Sequence, residues 1–104
     1  MTVKYTIECE GSEILVREVD STNYQLCIRA SSNPLSKGNL LETYSEYNRA
    51  IRAADHFCQS YAQAKEHGFY LQETFLVKPD KEPIPVAAIL NEEMKREQVD
   101  ALFV

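Results

Sequence analysis

Three side chains that could serve a catalytic or metal site lie close together in the segment RAADHFCQSYAQAKEHG, residues 52–68. Asp55, His56 and Cys58 supply a carboxylate, an imidazole and a thiol. A cysteine nucleophile needs a base within hydrogen-bonding reach, and zinc needs several converging ligands. The segment therefore raises two hypotheses, a cysteine–histidine pair and a metal site. Both depend on the secondary structure that positions these side chains.

The segment is predicted to lie in one long helix. Asn39-x-x-Glu42 and Thr43-x-x-Glu46 both match a capping box, so either could begin the helix. Gly68 stands where a left-handed residue ends a helix. The helix is expected to run for roughly 25 residues, about 38 Å, and to cross the whole of a small sheet.

The helical period separates Cys58 from His56. Each residue turns about 100°, so these two side chains point about 160° apart. Apolar residues spaced by threes and fours predict one inward stripe, made of Leu40, Tyr47, Ile51, Ala54, Cys58 and Tyr61. We therefore expect a buried, unreactive Cys58, an exposed His56 and no catalytic residue. His67 lies at the helix end, where it complements the helix dipole.

No metal site and no cofactor is predicted. Cys9 and Cys27 fall on strands separated by a third strand and point to opposite faces. The sequence contains no HExxH, EF-hand, P-loop or GxGxxG motif. Its three cysteines lack CxxC spacing, so in a cytoplasmic protein they are interpreted as reduced thiols and not as a disulfide framework.

A carboxylate that acts as an acid or base stays open at Glu73. This residue lies in a row with Phe69, Leu71, Phe75 and Val77. If buried there, it would have a raised pKa. The other interpretation is an edge-strand charge that blocks sheet-to-sheet pairing.

Strand patterns precede the predicted helix. VKYTIECE alternates, with Val3, Tyr5, Ile7 and Cys9 on one face. EILVREV and YQLCIRA follow after the turn signals EGSE and DSTN. Runs of this length joined by short turns are typical of an antiparallel meander.

Further elements follow the predicted helix. FYLQETFLV is expected to be a fourth strand, and VAAIL is either a fifth strand or the start of a helix. Asn91 is expected to cap a short C-terminal helix that ends near Leu102. The predicted fold is α+β: an antiparallel β-meander of three strands plus one or two later strands, one long helix packed across one face, and a short C-terminal helix.

Composition restricts the classes of function. The 104 residues predict a single domain over 1–104. The formal charge of −5, from 16 acidic and 11 basic residues, disfavours nucleic-acid binding through phosphate neutralisation. No apolar run of about 20 residues occurs, and the N-terminal stretch alternates, so neither a membrane span nor a signal peptide is expected. The prediction is a cytoplasmic protein.

The outward face of the predicted helix concentrates cations in an acidic chain. Arg49, Arg52 and His56 lie within a narrow arc. One interpretation is a solvated face, with Glu46–Arg49 and Arg52–Asp55 pairs that contribute ~0.2–0.5 kcal/mol each. The other is a contact patch for an acidic partner or a phosphate-bearing ligand.

The apolar tail VDALFV either docks on the protein's own core or forms a subunit interface or partner contact. Most of the six tyrosines are expected in the core.

Together these features predict a small soluble, non-enzymatic interaction or regulatory module. It is expected to bind a protein partner and to form a homodimer through a sheet edge or the C-terminal segment. The alternative is a small-ligand-binding or catalytic domain with a tyrosine-lined pocket between helix and sheet.

Overall fold

A four-stranded antiparallel meander with one long helix packed across it dominates the computed structural model, which describes residues 2–32, 38–90 and 96–103. The first sheet has the order β1-β2-β3-β4 and the second the order β5-β6-β7. The strands are β1 (Thr2–Cys9), β2 (Ser12–Asp20), β3 (Asn23–Ala30), β4 (Asn39–Tyr44), β5 (Tyr70–Gln72), β6 (Phe75–Val77) and β7 (Ile84–Pro85). The helices are α1 (Tyr47–Glu66), α2 (Val86–Ile89) and α3 (Arg96–Leu102). The predicted α+β class is confirmed.

Tight turns make the first three strands antiparallel neighbours, as the turn signals predict. Glu10 and Gly11 both have positive φ (52° and 79°), the conformation that joins two strands without splaying them. At the next turn the Asp20 carboxylate accepts hydrogen bonds from the backbone N–H of Thr22 at 2.9 Å and from the Asn23 amide at 3.0 Å. The Asn23 bond, followed by those from Thr22, holds the pKa of Asp20 below its usual value.

The residues before α1 form a strand and not the first turns of the helix. Both predicted starts, Asn39 and Thr43, are wrong because these residues belong to β4, which pairs with β3. The helix begins at Tyr47 after Glu46, whose side chain makes no capping hydrogen bond.

Burial explains why β4 overrides the capping-box pattern. As a strand it places Leu41 and Tyr44 in the core. Leu40, which was assigned to the helix stripe, points to the opposite face of the sheet and is 47% exposed.

The C-terminal end of α1 matches the prediction. The N–H of Phe69 donates to the carbonyl oxygen of Ala64 at 2.9 Å, and the N–H of Gly68 donates to the carbonyl oxygen of Lys65 at 3.0 Å. This is the Schellman pattern, and it requires the positive φ (87°) that Gly68 adopts without strain.

The segment after α1 is a hairpin in a separate sheet, so the single fourth strand predicted there is wrong. The chain reverses at Glu73 and Thr74, between β5 and β6. Glu73 has a φ of 57° and is exposed. It is therefore neither a buried carboxylate nor an edge-strand charge. The VAAIL segment forms α2 and follows directly after β7, so its helical alternative is correct.

The core lies between the meander and α1. Ala50, Ala54, Phe57, Tyr61 and Ala64 form the buried stripe of the helix. Successive members of this stripe are three or four residues apart, as one helix face requires. Three of them are alanines, so the helix backbone can approach the sheet closely.

The buried stripe is rotated from the predicted one. Ile51 and Cys58 are half-buried at its margin and do not lie at its centre. Tyr47 is also half-buried there, and its hydroxyl donates to the carbonyl of Lys4 at 3.2 Å. A bulge at Lys4 shifts the register of β1, so Val3 does not share the inward face with Tyr5.

The C-terminal segment docks on the protein itself. Phe103 is buried and its ring centroid lies 5.6 Å from that of Phe69. The helix end predicted near Leu102 is confirmed. The cap predicted at Asn91 lies outside the described residues.

Candidate functional site

Cys58 forms a disulfide with Cys9, so the prediction of reduced thiols is wrong for these two residues. Cys9 is the last inward-facing residue of β1, and the middle of α1 crosses above it. Their Cα atoms lie 5.8 Å apart, within the range that a disulfide spans. Sequence spacing could not reveal the pair, because the partners are 49 residues apart and meet only through tertiary packing.

Cys27 is the free cysteine among the described residues, and it lies on the opposite face of the sheet from Cys9, as predicted. It is buried beside Arg17, whose guanidinium Nη1 lies 3.8 Å from its sulfur. Burial raises the pKa of the Cys27 thiol, and the positive charge of Arg17 opposes that rise in part. Cys27 therefore holds its proton more tightly than an ordinary thiol.

His56 does not pair with Cys58, in agreement with the helical geometry, but it is not fully exposed. Its side chain is half-buried and its Nε2 lies 3.0 Å from the carbonyl oxygen of Ile89. The contact joins the middle of α1 to the end of α2. The expectation of a solvent-facing imidazole is wrong because a segment far along the chain packs against this side of the helix.

Arg49 and Arg52 lie in the first two turns of α1. Arg49 is half-buried, and its Cζ atom lies 5.9 Å from the ring centroid of Tyr44. Arg52 is exposed. Asp55, which was paired with Arg52 in the solvated-face interpretation, accepts a hydrogen bond from the Tyr5 hydroxyl at 2.7 Å. This bond is the main reason that the pKa of Tyr5 is raised.

A polar groove of about 510 Å³ adjoins Arg49. It lies where the β2–β3 turn, the end of β4 and the start of α1 come together. Its wall offers hydroxyl, amide, carboxylate and guanidinium groups from Thr22, Asn23, Glu42, Thr43, Tyr44, Ser45 and Arg49, with Leu90 as an apolar member. Sequence reasoning missed this groove because segments far apart in the chain build it.

The tyrosines mostly serve the core, as predicted. Tyr44 and Tyr61 are buried, and Tyr61 stacks on Phe57 with ring centroids 5.6 Å apart. The ring centroids of Tyr24 and Tyr47 also lie 5.6 Å apart. Tyr44 is the single tyrosine that lines the polar groove.

Two further observations concern only residues 2–32, 38–90 and 96–103. In these ranges no group of three or more His, Cys, Asp or Glu side chains is arranged to hold a metal ion. Within the same part of the chain, every helix is too short or too polar to cross a membrane.

No protein-family model, curated protein or solved structure matches the chain. Its own surfaces are therefore the basis for a functional proposal.

Proposed function

We propose that the protein is a small, non-enzymatic interaction module that binds an acidic segment of a protein partner beside the start of α1. The position of Arg49 is the observation that carries the proposal. Its guanidinium packs over the Tyr44 ring at the wall of the polar groove. A guanidinium supported by an aromatic face has lost part of its conformational freedom before binding, which lowers the entropic cost of a contact.

Several neighbouring groups suit a carboxylate-bearing segment, and the carboxylate in the groove wall, that of Glu42, accepts a hydrogen bond from the backbone N–H of Thr43 at 2.9 Å. A guanidinium can present two parallel N–H donors to one carboxylate, a geometry that lysine cannot provide. Arg52 lies one turn further along α1 and is exposed, so it can meet a second acidic side chain. The hydroxyls of Thr43 and Ser45 add neutral donors along the groove.

The site is built on supported elements. The Cys9–Cys58 disulfide ties α1 to β1, and the contact between His56 and Ile89 ties α1 to α2. In this proposal His56 holds α2, which brings Leu90 to the groove, while Arg49 and Arg52 contact the partner. The net charge of −5 slows the approach of an acidic partner, so the two guanidiniums act at short range and binding weakens as salt rises.

Affinity capture with charge-matched variants tests the proposal. The full chain is immobilised and exposed to a native lysate of the cells that naturally produce the protein. The test variant combines Arg49→Glu with Arg52→Glu, and the control combines Lys4→Glu with Lys65→Glu, which changes the net charge equally at exposed positions. The expected result is a protein that wild type and control retain, that the test variant loses and that added salt elutes. Equal retention by all three baits, or no retained protein, would refute the proposal.

A second candidate function is the binding of a small polar ligand in the same groove. The volume of about 510 Å³ favours it, since it falls within the ~300–1,000 Å³ of small-molecule sites. Thermal unfolding in the presence of free amino acids or inorganic phosphate distinguishes the two functions. Stabilisation of wild type that Arg49→Ala abolishes would support the ligand, and unchanged melting with every probe would reject it.

A further inference from the structure

The outward face of the second sheet is mostly apolar and aromatic. In this sheet Leu71, Leu76 and Ile84 pair in one row that points toward the core. Because side chains alternate along a strand, the neighbouring positions point away from the core. They are Tyr70, Gln72, Phe75, Val77 and Pro85, and we call the four apolar or aromatic members, Tyr70, Phe75, Val77 and Pro85, the aromatic face. Tyr70 is 52% exposed and Phe75 is 40% exposed.

A second groove borders the aromatic face. It has a volume of about 340 Å³ and shares Pro85 with that face. Its apolar lining comes from Phe69, Pro83, Ile84, Pro85, Ala88 and Leu102. Leu102 is 37% exposed, although Phe103 beside it is buried in the core. We call this cavity the C-terminal groove.

We propose that the aromatic face and the C-terminal groove together form the interface of a symmetric homodimer. The surface carries both a projection and a recess. Phe75 of one copy enters the C-terminal groove of its partner, and a two-fold axis repeats the contact in the opposite direction. Such an isologous arrangement closes at two copies.

The charges at the rim support a second copy as the occupant. Lys81 and Glu82 both line the C-terminal groove and are both exposed. A two-fold axis can set Lys81 of one copy against Glu82 of the other, so the rim complements itself. A rim with both signs in neighbouring positions does not select a partner of strong charge.

The exposed area predicts a weak dimer. An aromatic side chain buries ~150–250 Å² in all, so Tyr70 and Phe75, each about half exposed, offer roughly 200 Å² together. A stable interface buries about 800 Å² per partner. The groove and rim supply part of the difference, and for so small an interface we expect a dissociation constant on the order of 10–100 µM. Salt screens both the repulsion between two copies of net charge −5 and the attraction of the rim pairs, so the apolar contact is expected to keep the dimer at high salt.

Sedimentation equilibrium of the full chain tests the inference, from about 1 µM to about 500 µM, a range that brackets the expected constant. The weight-average mass should rise from 11.9 kDa toward twice that value. Phe75→Glu and, separately, Leu102→Glu should each raise the dissociation constant at least about tenfold. The matched control is Leu40→Glu, a similarly exposed apolar position on the four-stranded sheet that should leave the constant unchanged.

Thermal melts establish that each variant is folded. Concentration-dependent amide NMR shifts of the wild type give an independent map, and they should cluster at residues 70–77, 81–88 and 102. A constant monomer mass up to the highest concentration would overturn the inference. So would a dimer that survives both Phe75→Glu and Leu102→Glu, or one that Leu40→Glu disrupts. The partner site at Arg49 is unaffected by these outcomes, because its own test uses different variants.

Discussion

Cys27 and Cys58 differ in the chemical state of their sulfur atoms. The sulfur of Cys58 is held in a disulfide, while Cys27 keeps a thiol in the sheet. Thiol reactions proceed through the thiolate. Burial raises the pKa of Cys27 and restricts access to its sulfur, and Arg17 offsets the pKa rise only in part. Cys27 is therefore a packing residue, although its neighbour is a cation that would activate an exposed thiol.

The number of cysteine thiols that react with a reagent tests both the disulfide and the burial of Cys27. The native, oxidised protein should react with a thiol reagent at near-zero stoichiometry at pH 8, because the raised pKa keeps Cys27 protonated and its sulfur is buried. Unfolding without reductant should expose one thiol, and unfolding with reductant should expose three.

Colorimetric titration in urea measures these stoichiometries. Cys27→Ala serves as the control, since it should remove the thiol that unfolding alone exposes. Three reactive thiols in the unfolded, unreduced protein would show that the disulfide is not formed.

At the scale of elements, α1 presents mostly small side chains to the sheet around one large one. Phe57 is fully buried in the same core cluster as Ala53, Ala54 and Ala64, and it stacks on Tyr61. Its truncation would leave a cavity that the surrounding alanines are too short to fill. Ile51 is only half-buried and already contacts water on one side.

We therefore expect Phe57→Ala to lower the free energy of unfolding by about 3–5 kcal/mol, as for a buried aromatic truncation. Ile51→Ala should cost about 1 kcal/mol, because less of its side chain leaves water on folding. Urea unfolding of the two variants against wild type measures both values. A larger loss for Ile51→Ala than for Phe57→Ala would mean that the helix buries the face predicted from sequence.

The two ends of α1 show which element boundaries sequence can predict. The C-terminal end depends on a local conformation that Gly68 adopts easily, and it was predicted correctly. The start depends on competition between a capping pattern at Thr43 and the pairing of β4 with β3. That pairing is a tertiary contact, so no local pattern reports it.

The candidate site follows the same rule. Periodicity placed Arg49, Arg52 and His56 on one side of the helix. It could not show that the Arg49 guanidinium lies over the Tyr44 ring or that the His56 imidazole contacts the carbonyl oxygen of Ile89. Tyr44 and Ile89 lie on other elements than α1. The groove beside Arg49 was missed for that reason.

At the scale of the whole molecule, the disulfide connects the edge strand of the meander to the helix that covers it. β1 pairs only with β2 in the described sheet, so its other edge is open. Tyr5 and Tyr47 add hydrogen bonds between β1 and α1. The disulfide closes a long loop, because its two half-cystines are 49 residues apart. The cytoplasmic location predicted from sequence stays a prediction, and disulfides persist more often in oxidising compartments.

The last prediction is the contribution of this disulfide to stability. Closing a loop of about 50 residues reduces the entropy of the unfolded chain by an amount worth about 4 kcal/mol. Reduction of wild type should lower the free energy of unfolding by that amount, and the double variant Cys9→Ala/Cys58→Ala should be insensitive to reductant. Cys27→Ala should keep the full sensitivity, since Cys27 lies outside the disulfide. Urea unfolding with and without reductant measures all three proteins. Identical midpoints for oxidised and reduced wild type would show that the link between β1 and α1 does not stabilise the fold.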